Sequence, residues 1–197
     1  MAIWFRVPLL GCAAIVAAAC AHSQRAPTSE LGTGERVPAR AAIIAATEGE
    51  ARLLRGRKPI LIKVDPATVG SHHLFVGSER VPPGDSLGRH QHLHEEEMLY
   101  LHRGVLDVTL AGRTSRAEEG AVVFIPEATH IAARNPGPDT AEIVYVFNEP
   151  AFALCMRAFS SPAGQPYTEP SPDSGNAVRV ACHMRDPSAT NNASPRR

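Results

Sequence analysis

The chain has 197 residues, close to the size of one domain, so a single packed core with flanking tails is expected and a second full domain has little room. Acidic and basic residues balance at 20 each, and no long run of either sign occurs, which leaves no electrostatic case for nucleic acid or an anionic membrane surface as partner. The first segment, "MAIWFRVPLLGCAAIVAAAC", carries Arg6 and then an apolar run over residues 7–19 that ends in small residues. That is the layout of an export signal, and the run is shorter than the roughly 20 apolar residues of a spanning helix. "AAAC", residues 17–20, resembles the lipobox of bacterial lipoproteins, which implies that Cys20 becomes the lipidated first residue of the mature chain; ordinary cleavage near Ser23 is the alternative. Either way the expected location is the bacterial cell envelope, with the membrane touched only through the lipid.

Residues 21–57 follow as a polar tether and N-terminal extension, rich in Pro, Gly, Ser and Thr up to about residue 40. Residues 58–160 hold a series of short apolar runs: "PILIKV" (59–64), "HHLFVGSERV" (72–81), "MLYLH" (98–102), "VLDVTL" (105–110), "AVVFIP" (121–126), "HIAAR" (130–134) and "AEIVYVF" (141–147). Each has strand length, β-branched or aromatic residues and a turn signal at its end, the spacing of an all-β sandwich or barrel. Arg103 and Gly104 join two runs with almost no slack, as a tight hairpin requires. One helix is expected near residues 150–159, where Phe152, Cys155, Met156 and Phe159 share a face. Cys155 and Cys182 are the cysteines left outside the signal; a disulfide and a buried packing thiol at Cys155 are both consistent with their spacing. Residues 161–197 are expected as a disordered Pro- and Ser-rich tail.

"HQHLHEEE", residues 90–97, concentrates the chemistry. Side chains alternate faces along a strand, so His90, His92 and His94 point one way, and two imidazoles two residues apart can share one cation. Glu97 has the parity of Leu99 and Leu101, so it faces the interior if they do, whereas Met98, Tyr100 and His102 face outward. Glu95 and Glu96 are expected in the solvated bend between strands, and His94 next to it as an exposed or supporting group. Tyr100 is expected in a sheet or dimer contact. His72 and His73 are adjacent, so they face opposite ways, and both are read as ordinary strand histidines. Arg113 and Arg116 fall in a surface hairpin and carry no assignment.

Gly84, His90, His92, Glu97 and Gly104 stand at the spacing G-x5-H-x-H-x4-E-x6-G, which resembles the first motif of the cupin superfamily at every fixed position. The second motif, G-x5-P-x-G-x2-H-x3-N, is matched by Gly120, Pro126 and Asn135, but Ala128 replaces its inner glycine. Its histidine position falls on Ile131, and His130 stands one residue early. A one-residue slip turns a side chain to the other face. Either the loop over residues 127–129 bulges and His130 becomes a fourth ligand, or the site keeps three protein ligands.

The resemblance implies an antiparallel jelly-roll β-barrel over residues 58–160, commonly dimeric, with a divalent metal inside held by His90, His92 and Glu97. Two imidazoles and a carboxylate suit Mn, Fe, Zn or Ni and do not select among them. An open coordination position would receive a small oxygen-bearing ligand. Three roles follow as alternatives: a metal-dependent enzyme of dioxygenase or isomerase type, a non-catalytic binding or sensing module, and a metal-free structural barrel.

Overall fold

Buried and exposed side chains alternate along most strands, as they do in sheets with one face on a core. The computed structural model describes residues 37–186. Its first strands are β1 (Glu50–Leu54), β2 (Lys58–Val64), β3 (Phe75–Val81), β4 (Ser86–His92), β5 (Glu97–Arg103) and β6 (Val105–Leu110). There follow β7 (Arg113–Glu118), β8 (Val122–Ile125), β9 (Ile131–Arg134) and β10 (Ala141–Phe147), then α1 (Phe152–Ala158), β11 (Ser160–Pro162), α2 (Pro172–Ala181) and β12 (Met184–Arg185). The strands pair antiparallel in two sheets, ordered β11-β1-β2-β3-β10-β5-β8 and β12-β4-β9-β6-β7. The expected jelly-roll barrel is what forms.

Both sheets contribute to one core: Ile60, Ile62, Phe75, Leu99, Ile143 and Phe147 from the larger, Leu106, Val108, Ile131 and Ala133 from the smaller. Each large apolar side chain buried there is worth roughly 1.5–3 kcal/mol relative to exposure. The turn between β5 and β6 depends on Gly104, which sits at φ +84° and whose added Cβ would lie 2.9 Å from the Ala141 Cα, so a side chain is both strained and blocked. α1 closes one end of the barrel with Phe152, Ala153, Cys155 and Met156 buried. Arg157 ties it down by donating to Glu50 at 2.6 and 2.9 Å and to Asp65.

Both expected tails need correction where they are described. The N-terminal extension enters the sheet as β1, which pairs with β2 and β11, and Val37 and Arg40 donate backbone hydrogen bonds to Pro66 and Val69. Residues 161–186, expected to be disordered, finish β11 and form α2 and β12. α2 begins with local signals, Ser171 capping the Ser174 N–H and Pro172 in the first turn. What holds it is long-range: Cys182 is disulfide-bonded to Cys155 of α1, and β12 pairs with β4. His72 and His73 also differ from expectation, lying exposed in a bend before β3. The lipobox with Cys20, the first part of the tether and the last part of the tail lie outside the described residues.

Candidate metal centre

β4 and β5 carry the chemistry, joined by the bend over residues 93–96. β5 alternates cleanly, with Glu97, Leu99 and Leu101 buried and Met98, Tyr100 and His102 exposed, so the parity argument places Glu97 correctly inside. It sits across from Phe147 on β10 and Ile125 on β8. The structure brings His90, His92 and Glu97 together, with one donor atom from each lying within 4.8 Å of the others. Nε2 of His92 is 3.4 Å from Oε2 of Glu97. Neither atom has a hydrogen-bond partner, nor does Nδ1 of His92.

Orphaned donors at such depth are costly, on the order of 1–3 kcal/mol each. Aromatic rings frame them: His92 meets Phe147 edge-on at 4.8 Å and Phe152 at 4.4 Å, while His90 stacks parallel to Phe152 at 6.5 Å. These rings bury His92, while His90 stays half-buried on the cavity wall. Burial lowers the His92 pKa to about 4, and burial together with His92 lowers that of His90. Burial pushes Glu97 up to about 7, against a pull downward from His90. At neutral pH both imidazoles are therefore in the neutral form that ligates metals. The set fits a divalent cation: His92 and Glu97 offer buried atoms without partners, and the half-buried His90, its Nδ1 2.7 Å from the Gly88 carbonyl, adds a second imidazole within reach.

The second motif contributes no ligand to this cluster. Ile131 pairs with His90 in the β4–β9 register and is buried, so the inward position that the motif gives to histidine holds an apolar side chain. His130 is outside the group of converging donors, its Nδ1 buried without a partner. The loop does bend as the motif's glycine would: Ala128 adopts φ +54° and donates its N–H to the His92 carbonyl at 2.6 Å.

His94 is exposed, its ring edge-on to His183 at 4.8 Å. Glu96 is exposed as expected. Glu95 corrects the expectation of a solvated bend, because it is fully buried with Oε1 2.9 Å from Nδ1 of His183. That partner comes from the segment just before β12, which a reading of a disordered tail removes from consideration.

The cluster opens into a cavity of about 650 Å³ lined by His90 and Glu97. Leu99, Ile143, Phe147, Phe152 and Met156 make much of its wall apolar. Polar residues missed from sequence also line it, Lys58, Glu79 and Tyr145 among them. Lys58 donates to Oε1 of Glu79 at 2.5 Å and to the Ser86 carbonyl at 3.0 Å, with both charged side chains buried. Burial raises the Glu79 pKa against the opposing pull of Lys58. Burial first, then Glu79 and Glu97, raise that of Tyr145 well above its usual value, so the phenol stays protonated; its hydroxyl is buried without a partner, over Gly77. Parity was the available signal. Lys58 is in phase with Ile60 and Ile62, Glu79 with Phe75 and Val81, and Tyr145 with Ile143 and Phe147.

With this geometry in view, residues 77–147 match the family model described as "Cupin domain". That segment, strands β3 to β10, is similar to a cupin domain. Among curated proteins, the chain is 35% identical over 82 residues to "Polyketide synthase CurC" of Streptomyces cyaneus, covering 41% of this chain and 52% of that protein. It is 30% identical over 80 residues to "Tetracenomycin polyketide synthase protein TcmJ" of Streptomyces glaucescens, covering 41% and 54%. The chain thus spans about half the length of the curated relatives it matches. Among solved structures, a predicted oxalate decarboxylase of Thermotoga maritima matches with TM-score 0.49 and 20% identity, over 55% of this chain and 99% of that one.

Proposed function

We propose that this cupin-like barrel holds one divalent cation through His90, His92 and Glu97 and presents it to a small oxygen-bearing molecule in the adjoining cavity. The observation that carries the reading is the convergence of two buried donors, His92 and Glu97, with the half-buried His90, two of the three lying on the wall of a cavity whose size suits a small ligand. When bound, the cation supplies Lewis acidity toward a ligand oxygen. The chain's own residues do the remainder. Apolar walls exclude water, the Lys58–Glu79 pair offers a fixed dipole, and the Tyr145 hydroxyl is a hydrogen-bond donor for an oxygen that reaches it. The names of the two polyketide synthase relatives are consistent with an oxygen-rich ligand, and they support its class no further.

Turnover is the second reading, favoured by one observation: a protonated phenol and a carboxyl of raised pKa share the cavity with the metal ligands. Small diols and keto acids followed by oxygen uptake and product analysis separate turnover from capture. We further propose export, with Cys20 as the lipid attachment point; the Cys155–Cys182 disulfide supports an oxidising compartment.

Metal analysis tests the core of the reading. Tag-free protein exposed in turn to Mn, Fe, Zn and Ni should retain about one equivalent of at least one of them, and His92→Ala should retain under about a tenth. Wild-type protein that retains under about a tenth of every metal contradicts it.

A further inference from the structure

The smaller sheet places β4 between β9 on one side and β12 on the other. On the β9 side, His90 faces Ile131, the position where a second-motif histidine is missing. On the β12 side the register runs Met184 to His92 and Arg185 to Gln91. Continued by one residue, it sets Asp186 beside His90. Opposed residues of an antiparallel pair project to the same face, so Met184 and Asp186 point inward and Arg185 outward. The burial agrees, since Arg185 is exposed while Met184 and Asp186 are half-buried and line the cavity with His90 and Glu97.

We propose that Asp186, carried across the barrel mouth on the C-terminal segment, replaces the absent second-motif histidine and supplies a fourth polar side chain, a carboxylate, to the metal centre. This rests on the metal reading above and says what completes it. In the metal-free structure Asp186 lies beside, and not within, the group of three converging donors, so its carboxylate joins two imidazoles and one carboxylate only when a cation is bound, and the formal charge of that set then balances a divalent cation.

The segment that carries Asp186 is held at several points close to the site. The Leu93 N–H donates to the His183 carbonyl at 2.8 Å, the His183 ring meets the buried Glu95, and Cys182 is bonded to Cys155 of α1. Fixed supports of this kind keep the strand that bears the carboxylate beside the site, so that little backbone ordering is left to be done when the cation arrives.

The test is Mn(II) affinity of the full chain, measured by competition with a chelating dye, alongside the thermal midpoint of the metal-free protein. Asp186→Asn should weaken Mn(II) binding about 10- to 100-fold, the range for lost metal-supporting groups, a loss well beyond any accompanying change in metal-free stability. Asp186→Glu should keep most of the affinity, and His130→Ala should keep all of it. Asp186→Asn binding within about twofold of wild type overturns this inference alone, as does a loss matched by a fall in the metal-free midpoint, which would mark a structural role. Wild-type protein that binds no Mn(II), Fe(II), Zn(II) or Ni(II) overturns both this inference and the reading beneath it.

Discussion

Glu97 and His92 illustrate how a site built for a cation is unfavourable without one. In the metal-free fold Glu97 titrates at about 7, above its ordinary 4.5, so the folded chain holds a proton that the unfolded chain releases. Its contribution to stability is present below pH 4.5 and is lost as pH rises through 7, an effect of roughly 3 kcal/mol for a shift of this size. His92 works in the opposite sense. With a folded value near 4 against 6.5, it contributes above pH 6.5 and loses that contribution as pH falls through 4. Glu97→Gln should therefore make the chelator-treated protein more stable than wild type at pH 8, with the gap closing toward pH 4.5. The same variant should lose metal-induced stabilisation. Denaturant titrations at the two pH values check this, and a variant less stable than wild type at pH 8 would contradict the assignment of Glu97 as a desolvated ligand.

At the scale of elements, the loop between β8 and β9 shows a motif position keeping its geometry after losing its residue. Ala128 holds φ +54°, where an L side chain costs about 1–2 kcal/mol, and its N–H still reaches the His92 carbonyl. Ala128→Gly should raise stability by up to about 1 kcal/mol, less than the full strain because glycine loses more freedom on folding. A fall in unfolding free energy would show that the conformation is not a strained one.

Much of the barrel was legible in the sequence at this scale. β10 was marked out to the residue by "AEIVYVF", and β5 by the alternation that put Glu97 in phase with Leu99 and Leu101. Two classes of feature were not. Lys58, Glu79 and Tyr145 were in phase with their apolar neighbours, but a polar residue within a strand has no local mark that tells the barrel interior from solvent unless parity is followed through every strand. β1, α2 and β12 depend in part on partners distant in sequence: β11 for β1, a disulfide spanning 27 residues for α2, and β4 for β12. Composition reads such segments as tails because the groups that hold them are elsewhere.

At the scale of the molecule, the barrel surrounds a cavity whose largely apolar wall carries a few polar groups, with residues of α1 and of the C-terminal segment in its lining. The larger sheet brings Glu97, Glu79, Lys58 and Tyr145; the smaller brings His90 and His92. No single element holds the site, so it exists only when both sheets are joined, and loading it should stabilise the fold as a whole. The most direct test is anomalous diffraction from crystals of the full chain grown with Zn(II). The account predicts one ion inside the barrel, about 2.0–2.2 Å from an imidazole nitrogen of both His90 and His92 and from a carboxylate oxygen of Glu97. Ion density only at the protein surface, or none with the three side chains still converging, would contradict it.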